Sequence, residues 1–287
     1  MQDIKQKISL EVGSFIQTEV SNFPINIQLA FQHVLSTKSK CFRSYIFILS
    51  YLKFGGNTQD IPYKFSISFE LFHNFVLVHD DLIDNSAKRR GSDSFHVRFG
   101  DNFALLFGDF LYTFALNFAH KHDKTNKALD VLLQVGLKTA QGAISECTLD
   151  VHSQADILNL YEEKTAYYSF FAPILLAYYY VGGKDKIVIQ KIEEYSRIIG
   201  LAYQINDDLE DLSNFESFQE AEIFNVNLYG FLAKEFHANI KNREELYQIV
   251  LEQRLDLKLK DLIENLRGKA RLMEKDLGVS YFEILLK

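Results

Sequence analysis

Proline removes a backbone donor and breaks helices, and this chain of 287 residues contains only three. No stretch alternates apolar and polar residues for long, so the two-residue period of a half-buried strand is missing. Apolar residues recur instead at the spacing of one helical face. The pattern predicts helices over roughly 3–21, 25–36, 41–54, 63–85, 93–97, 101–121, 125–151, 154–181, 185–213, 217–235, 242–266 and 268–275. Ser153 with Asp156 three residues on reads as an N-cap pair. Asn57, Gly91, Gly100 and the Gly182-Gly183 pair mark turns. With no linker, low-complexity tract or short-period repeat, the expected architecture is all-α: one domain over 1–287, its helices bundled around a central cavity.

Composition narrows the function classes. Hydrophobic residues make up 47% and charged ones 24%, enough for a substantial core. A net charge of −7 without a basic stripe argues against nucleic acid as a partner. The two cysteines, Cys41 and Cys147, lack metal-type spacing and fit reduced thiols in a cytoplasmic protein. The N-terminal MQDIKQKISLEVGSFIQ carries charges throughout an amphipathic pattern and has no signal-peptide core. The most apolar segment, Tyr167 to Gly183, is too short for a membrane span and contains Pro173, so it reads as a buried core helix and no transmembrane segment is expected. Phenylalanine and tyrosine are abundant, at 25 and 15, and tryptophan is absent. They could line an apolar pocket, but a coding bias would give the same count.

The stretch FELFHNFVLVHDDLIDNSAKRRG, Phe69 to Gly91, carries Asp80, Asp81 and Asp84 at the end of an apolar run. At about 100° per residue, Asp81 lies about 100° and Asp84 about 40° from Asp80, so the three share one helical face. Like charges at such spacing cost about 0.2–0.5 kcal/mol per pair, and here they also approach the negative end of the helix dipole. Both effects call for a cation. YQINDDLEDL repeats the spacing with Asp207, Asp208 and Asp211, again behind an apolar helical run. Hard carboxylate oxygens suit Mg²⁺, which commonly bridges one or two carboxylates to phosphate oxygens. Two facing acidic patches therefore read as a clamp for a diphosphate carried on several Mg²⁺ ions.

With HDDLID followed by RRG, then HVRFGDNFALLFGDFLY, YEEKTAYY and YQINDDLED in this order, the chain resembles the trans-isoprenyl diphosphate synthases of the polyprenyl synthetase family over nearly its full length. The resemblance implies the helical isoprenoid-synthase fold, a homodimer, and three Mg²⁺ ions in each active site. It assigns Asp80, Asp81, Asp84, Asp207 and Asp208 to the Mg²⁺ that holds the allylic diphosphate, with Asp211 completing the second motif. Arg89, Lys164, Thr165 and Gln204 match residues around the allylic diphosphate, and Lys40, Arg43, His73 and Arg90 match the group that binds isopentenyl diphosphate. The spacing agrees in part: Gln204 shares the face of Asp207 and Asp208, and His73 lies two helical turns before Asp80.

The implied chemistry is ionisation of an allylic diphosphate, attack of isopentenyl diphosphate on the cation, and loss of a proton. No Ser-His-Asp, Cys-His or HExxH arrangement suggests another chemistry. Phe75 and Val76, about one turn before Asp80, form the expected floor of the chain-length pocket and point to geranylgeranyl or farnesyl diphosphate as product. Two departures stand out. The family's Gly-Gly-Lys-Arg-x-Arg-Pro element is reduced to SKCFRS, and LSNFESFQEAEIFNVNLYG supplies no Lys or Arg before Lys234. Loss of a buried cation contact would weaken allylic binding by about 1.5–3 kcal/mol. Competing readings are a terpene cyclase on the same scaffold and a non-catalytic subunit of a heteromeric synthase. The Asp-rich second motif and the retained Lys40, Arg43, His73 and Arg90 oppose the cyclase, and the six intact acids oppose the subunit.

Overall fold

Helices dominate the structure, a computed structural model that describes residues 2–36, 41–148, 153–212, 228–236, 240, 242–279 and 281. Two units emerge from the packing: Met1–Leu133 with Pro173–Lys184, and Gln134–Ala172 with Asp185–Lys287.

The first unit begins with α1 (Gln2–Thr18), a 3₁₀ turn at Val20–Asn22, α2 (Ile25–Ser36), α3 (Phe42–Lys53) and α4 (Tyr63–Ile83). A small hairpin follows, β1 (Lys88–Arg89) and β2 (Ser92–Asp93), then α5 (Phe95–Phe99) and α6 (Asp101–His122). Helix α4 packs along α6 and also meets α1 and α3. The phenylalanines build this core. Phe103, Phe107, Phe110, Phe114 and Phe118 form a stripe down α6 with ring centroids 5.8–6.2 Å apart, and Phe31 of α2 meets three of them edge-on. By length and composition α6 could cross a membrane, with 39% of its apolar window buried. Here it serves as a core helix through Ala104, Phe107, Gly108, Leu111 and Ala115.

The helix expected at 93–97 is shifted by the hairpin. Lys88 pairs with Asp93 and Arg89 with Ser92, leaving Arg90 and Gly91 as a two-residue turn with φ of 53° and 79°. Positive φ at both positions is the type I′ geometry that matches strand twist. Ser94 is extended, and α5 starts after it.

Helix α7 (Ala128–Thr148) bridges the chain into the second unit, which continues with α8 (Gln154–Tyr161) and a π-helical segment, Glu162–Phe171. Then come α9 (Ala172–Tyr180), which from Pro173 on belongs to the first unit, and, back in the second unit, α10 (Lys186–Asp211), α11 (Leu228–Lys234), α12 (Arg243–Glu252) and α13 (Leu255–Leu277). The predicted Ser153–Asp156 cap is a full capping box: Asp156 N–H donates to Ser153 Oγ at 3.3 Å and Ser153 N–H to Asp156 Oδ2 at 2.8 Å. The expected continuous helix 154–181 is interrupted by the π segment. Pro173 cannot donate to the Ser169 carbonyl and its ring crowds that group, which favours wider turns just before it. At the C-terminus the expected break at residue 267 lies instead at Gln253 and Arg254, where Arg254 adopts φ 50°. Gly268 sits inside α13 with nothing near its missing side chain. Of the helix expected over 217–235, Leu228–Lys234 is observed and 217–227 lies outside the described residues.

Candidate active site

In the first unit, α4 brings Asp80 and Asp81 to its last turn and Asp84 to its C-cap, where Asp84 N–H donates to the Asp80 carbonyl. Asp80 and Asp84 are half-buried, whereas Asp81 is buried. The hairpin returns two arginines onto this helix. Arg89, on β1, donates to Asp81 Oδ1 through Nε at 2.7 Å and through Nη2. Arg90, at the left-handed turn position, reaches back to His73, with Nη2 3.2 Å from Nε2. Guanidinium stays protonated, so Arg90 is the donor and His73 Nε2 the acceptor. Burial holds the His73 pKa well below the ordinary imidazole value, reinforced by Arg43, Arg90 and Arg89. Burial also lowers the pKa of Arg90, opposed by the Glu70 carboxylate.

Arg43 is buried at the start of α3. Glu70 is buried on α4 and accepts from the Ser44 N–H at 2.9 Å, pinning the first turn of α3 near that dipole end. A small open cleft lies beside Asp81, lined among others by His33, Asn74, Asp81, Arg89, Arg90 and Ser94. His33 is held below the usual imidazole pKa by burial and by Arg98. Val76 is buried, and Phe75 packs its ring 4.9 Å from both Phe72 and Tyr112. Lys40 lies outside the described residues.

In the second unit, α10 presents Gln204, Asp207 and Asp208 in its last two turns. Asp207 is exposed. Asp208 is buried and accepts from the Tyr161 hydroxyl at 2.5 Å and from the Leu228 N–H at 3.3 Å. Leu228 N–H also donates to Tyr161 Oη at 2.9 Å. Burial and the Asp208 charge hold the Tyr161 pKa well above that of free tyrosine, so Tyr161 stays a proton donor. The side chain of Asp211 lies outside the described part. Lys164 and Thr165 sit on the π segment, a feature common at functional sites. Thr165 Oγ1 donates to Gln204 Oε1 at 3.0 Å, and Lys164 Nζ pairs with Glu146 Oε2 at 2.5 Å.

Arg43, His73, Arg89, Arg90 and Asp81 are thus gathered in one cluster, and Thr165, Gln204 and Asp208 in another. Tyr161, Glu146, Glu70 and His33 were missed. The glycine at 142, one helical turn before Glu146, is a signal for the close approach there; Tyr161 and Asp208, 47 residues apart, carry none. Among the described residues no group of three or more Asp, Glu, His or Cys is placed to hold a metal by itself. Asp80 and Asp84 are half-buried and Asp207 is exposed, and hard carboxylate oxygens so placed are of the type that suits a divalent ion such as Mg²⁺.

The sequence model of the family described as Polyprenyl synthetase matches residues 25–220. A short chain isoprenyl diphosphate synthase of Methanothermobacter thermautotrophicus is 29% identical over 261 residues, covering 86% of this chain and 79% of that relative. A geranylgeranyl diphosphate synthase of Methanosarcina mazei is 28% identical over 197 residues, 66% of this chain and 60% of that protein, so the chain spans less than two thirds of this second relative. A solved structure of geranylgeranyl pyrophosphate synthase from Corynebacterium glutamicum, complexed with isoprenyl diphosphate and magnesium, shares the fold with a TM-score of 0.82 at 16% identity, covering 99% of this chain and 96% of that one.

Proposed function

The chain belongs to the polyprenyl synthetase family, and from that premise we propose that it is a trans-prenyltransferase condensing an allylic diphosphate with isopentenyl diphosphate, head to tail, to a short-chain product. The observation that carries this reading is the cluster of Arg43, His73, Arg89 and Arg90 beside an acidic helix end, with Arg89 and Arg90 lining a cleft there. Such a cluster suits a diphosphate and has no use in a structural face. The product is geranylgeranyl or farnesyl diphosphate, with Phe75 and Val76 as the floor of the chain pocket.

Asp80, Asp84 and Asp207 hold Mg²⁺, three ions per site, together with the substrate diphosphate; Asp211 completes this set. Mg²⁺ bound there supplies positive charge against the departing diphosphate. Asp81 and Asp208 contribute mainly through their partners: Asp81 aims Arg89, and Asp208 fixes the end of α10 to Tyr161 and α11. Lys164, Thr165, Gln204 and Arg89 contact the allylic diphosphate, while Lys40, Arg43, His73 and Arg90 hold isopentenyl diphosphate. A neutral His73 accepts from Arg90 and adds no further charge to the arginine cluster.

In the reaction the allylic C–O bond breaks and its electron pair leaves with the diphosphate. The isopentenyl double bond attacks the allylic carbon, and the proton next to the new cation passes to the released diphosphate. The protein's part is to neutralise developing negative charge and keep water from the cation. The enzyme works in the cytoplasm as a homodimer, a state supported by the exposed apolar residues Leu137 and Ile144 on α7.

The test is product analysis by mass after incubation with Mg²⁺ and both substrates. Fifteen- or twenty-carbon chains that require isopentenyl diphosphate are expected, and Phe75→Ala should lengthen them. A cyclised product without isopentenyl diphosphate, or no product at all, would reject the reading; chains of thirty carbons or more would reject the assigned floor.

A further inference from the structure

Lys164 forms an ion pair with Glu146 of this chain, and that pair is built into the packing. A side chain on Gly142 would bring its Cβ to 2.8 Å from the Lys164 backbone nitrogen and 3.1 Å from the Glu163 carbonyl carbon, so the bare glycine is what lets α7 lie against the π segment. One turn further along α7, on the same face, stands Glu146. Its Oε2 lies 2.5 Å from Lys164 Nζ, with the two side chains only 17% and 21% exposed. A charge-assisted contact in so dry a setting is stronger than a surface ion pair.

The same ammonium is the cation that the proposed function assigns to the allylic diphosphate, and the inference rests on that reading. Lys164 matters more here than its type alone suggests. No lysine or arginine occurs from residue 198 to residue 233, and Arg197 is itself paired with Glu162 at 2.6 Å. We infer that Glu146 is a tuning residue for substrate affinity: its carboxylate occupies Lys164 in the manner of a phosphate oxygen, and the allylic diphosphate must displace it. The pair presents no net charge to an arriving diphosphate, so binding on this side is weaker than an open lysine would give.

The experiment compares the wild type with Glu146→Gln and Lys164→Gln at fixed ionic strength and Mg²⁺. Three constants are measured: KM for geranyl diphosphate, KM for isopentenyl diphosphate, and the inhibition constant of inorganic pyrophosphate, a probe that needs no turnover. Glu146→Gln keeps the size of the side chain and removes its charge. The expected result is a fall of about threefold or more in the geranyl diphosphate KM and in the pyrophosphate constant, with the isopentenyl diphosphate KM unmoved. Lys164→Gln should raise the first and third. Glu146→Ala supplies a second variant should Gln fail to fold, with the same sign expected. If Lys164→Gln weakens diphosphate binding while the position 146 variants leave it unchanged or weaker, the inference is overturned. If Lys164→Gln changes nothing, the assigned role of Lys164 falls and takes the inference with it. A structural role for Glu146 would lower stability without tightening pyrophosphate.

Discussion

His73 shows how one residue links packing to pH. It is buried on α4, accepts from Arg90, and stands among three arginines. Burial and those charges depress its folded pKa, whereas in the unfolded chain it titrates near about 6.5. The unfolded state therefore binds a proton that the folded state refuses. The stability that neutral His73 preserves is complete above the unfolded value and is lost as pH falls below it. Urea midpoints should drop between about pH 6.5 and 5, and His73→Gln should flatten that slope. His33 and His122 are also depressed by burial, so part of the slope remains. An unchanged slope in the variant would mean that His73 is not held neutral. The sequence pointed to His73, Arg89 and Arg90, but not to their pairing. Two adjacent arginines reach different partners because one lies on a strand and the next at a left-handed turn position. The RRG signature carries that turn only when read as a two-residue hairpin.

At the scale of elements, close contacts between helices are set by single glycines. A side chain at Gly200 of α10 would place its Cβ 2.4 Å from the Ala166 Cβ and 2.7 Å from its Cα on the π segment. Gly200→Ala must therefore push apart the elements bearing Lys164, Thr165 and Gln204, costing about 1–3 kcal/mol in urea unfolding and lowering kcat. Gly268→Ala is the control with opposite sign: nothing lies within 4 Å, and replacing a mid-helix glycine should stabilise by about 0.5–1 kcal/mol. Equal effects at both positions would rule out the contact as the cause. Element legibility follows the same logic. Helix α2 was readable to its ends because Pro24 precedes it and apolar periodicity runs through it. The break at Arg254 was not, since a left-handed arginine has no sequence mark, and the break expected at residue 267 falls inside a continuous helix. The π segment was hidden because wider turns alter no residue pattern, although Pro173 stands just beyond it.

For the whole molecule, each unit carries one acidic motif. The chain also leaves apolar surface uncovered. On α7, Leu133, Leu137 and Ile144 are 43%, 64% and 63% exposed at spacings of four and seven residues, which places them on one face. On α6, Leu105 and Leu106 are 52% and 65% exposed. Scattered exposed leucines are ordinary on a monomer, but a stripe at helical spacing marks an interaction surface. A stable dimer buries about 1,200–2,000 Å² in total, and more than one helix must contribute to reach it. A carboxylate buried without a partner in that surface is costly. The double variant Leu137→Glu, Ile144→Glu should therefore elute with half the wild-type mass in light scattering at micromolar concentration, with its helical content unchanged because both positions already face outward. A wild type that is monomeric, or a variant that stays dimeric, would show that two copies do not meet through this face of α7.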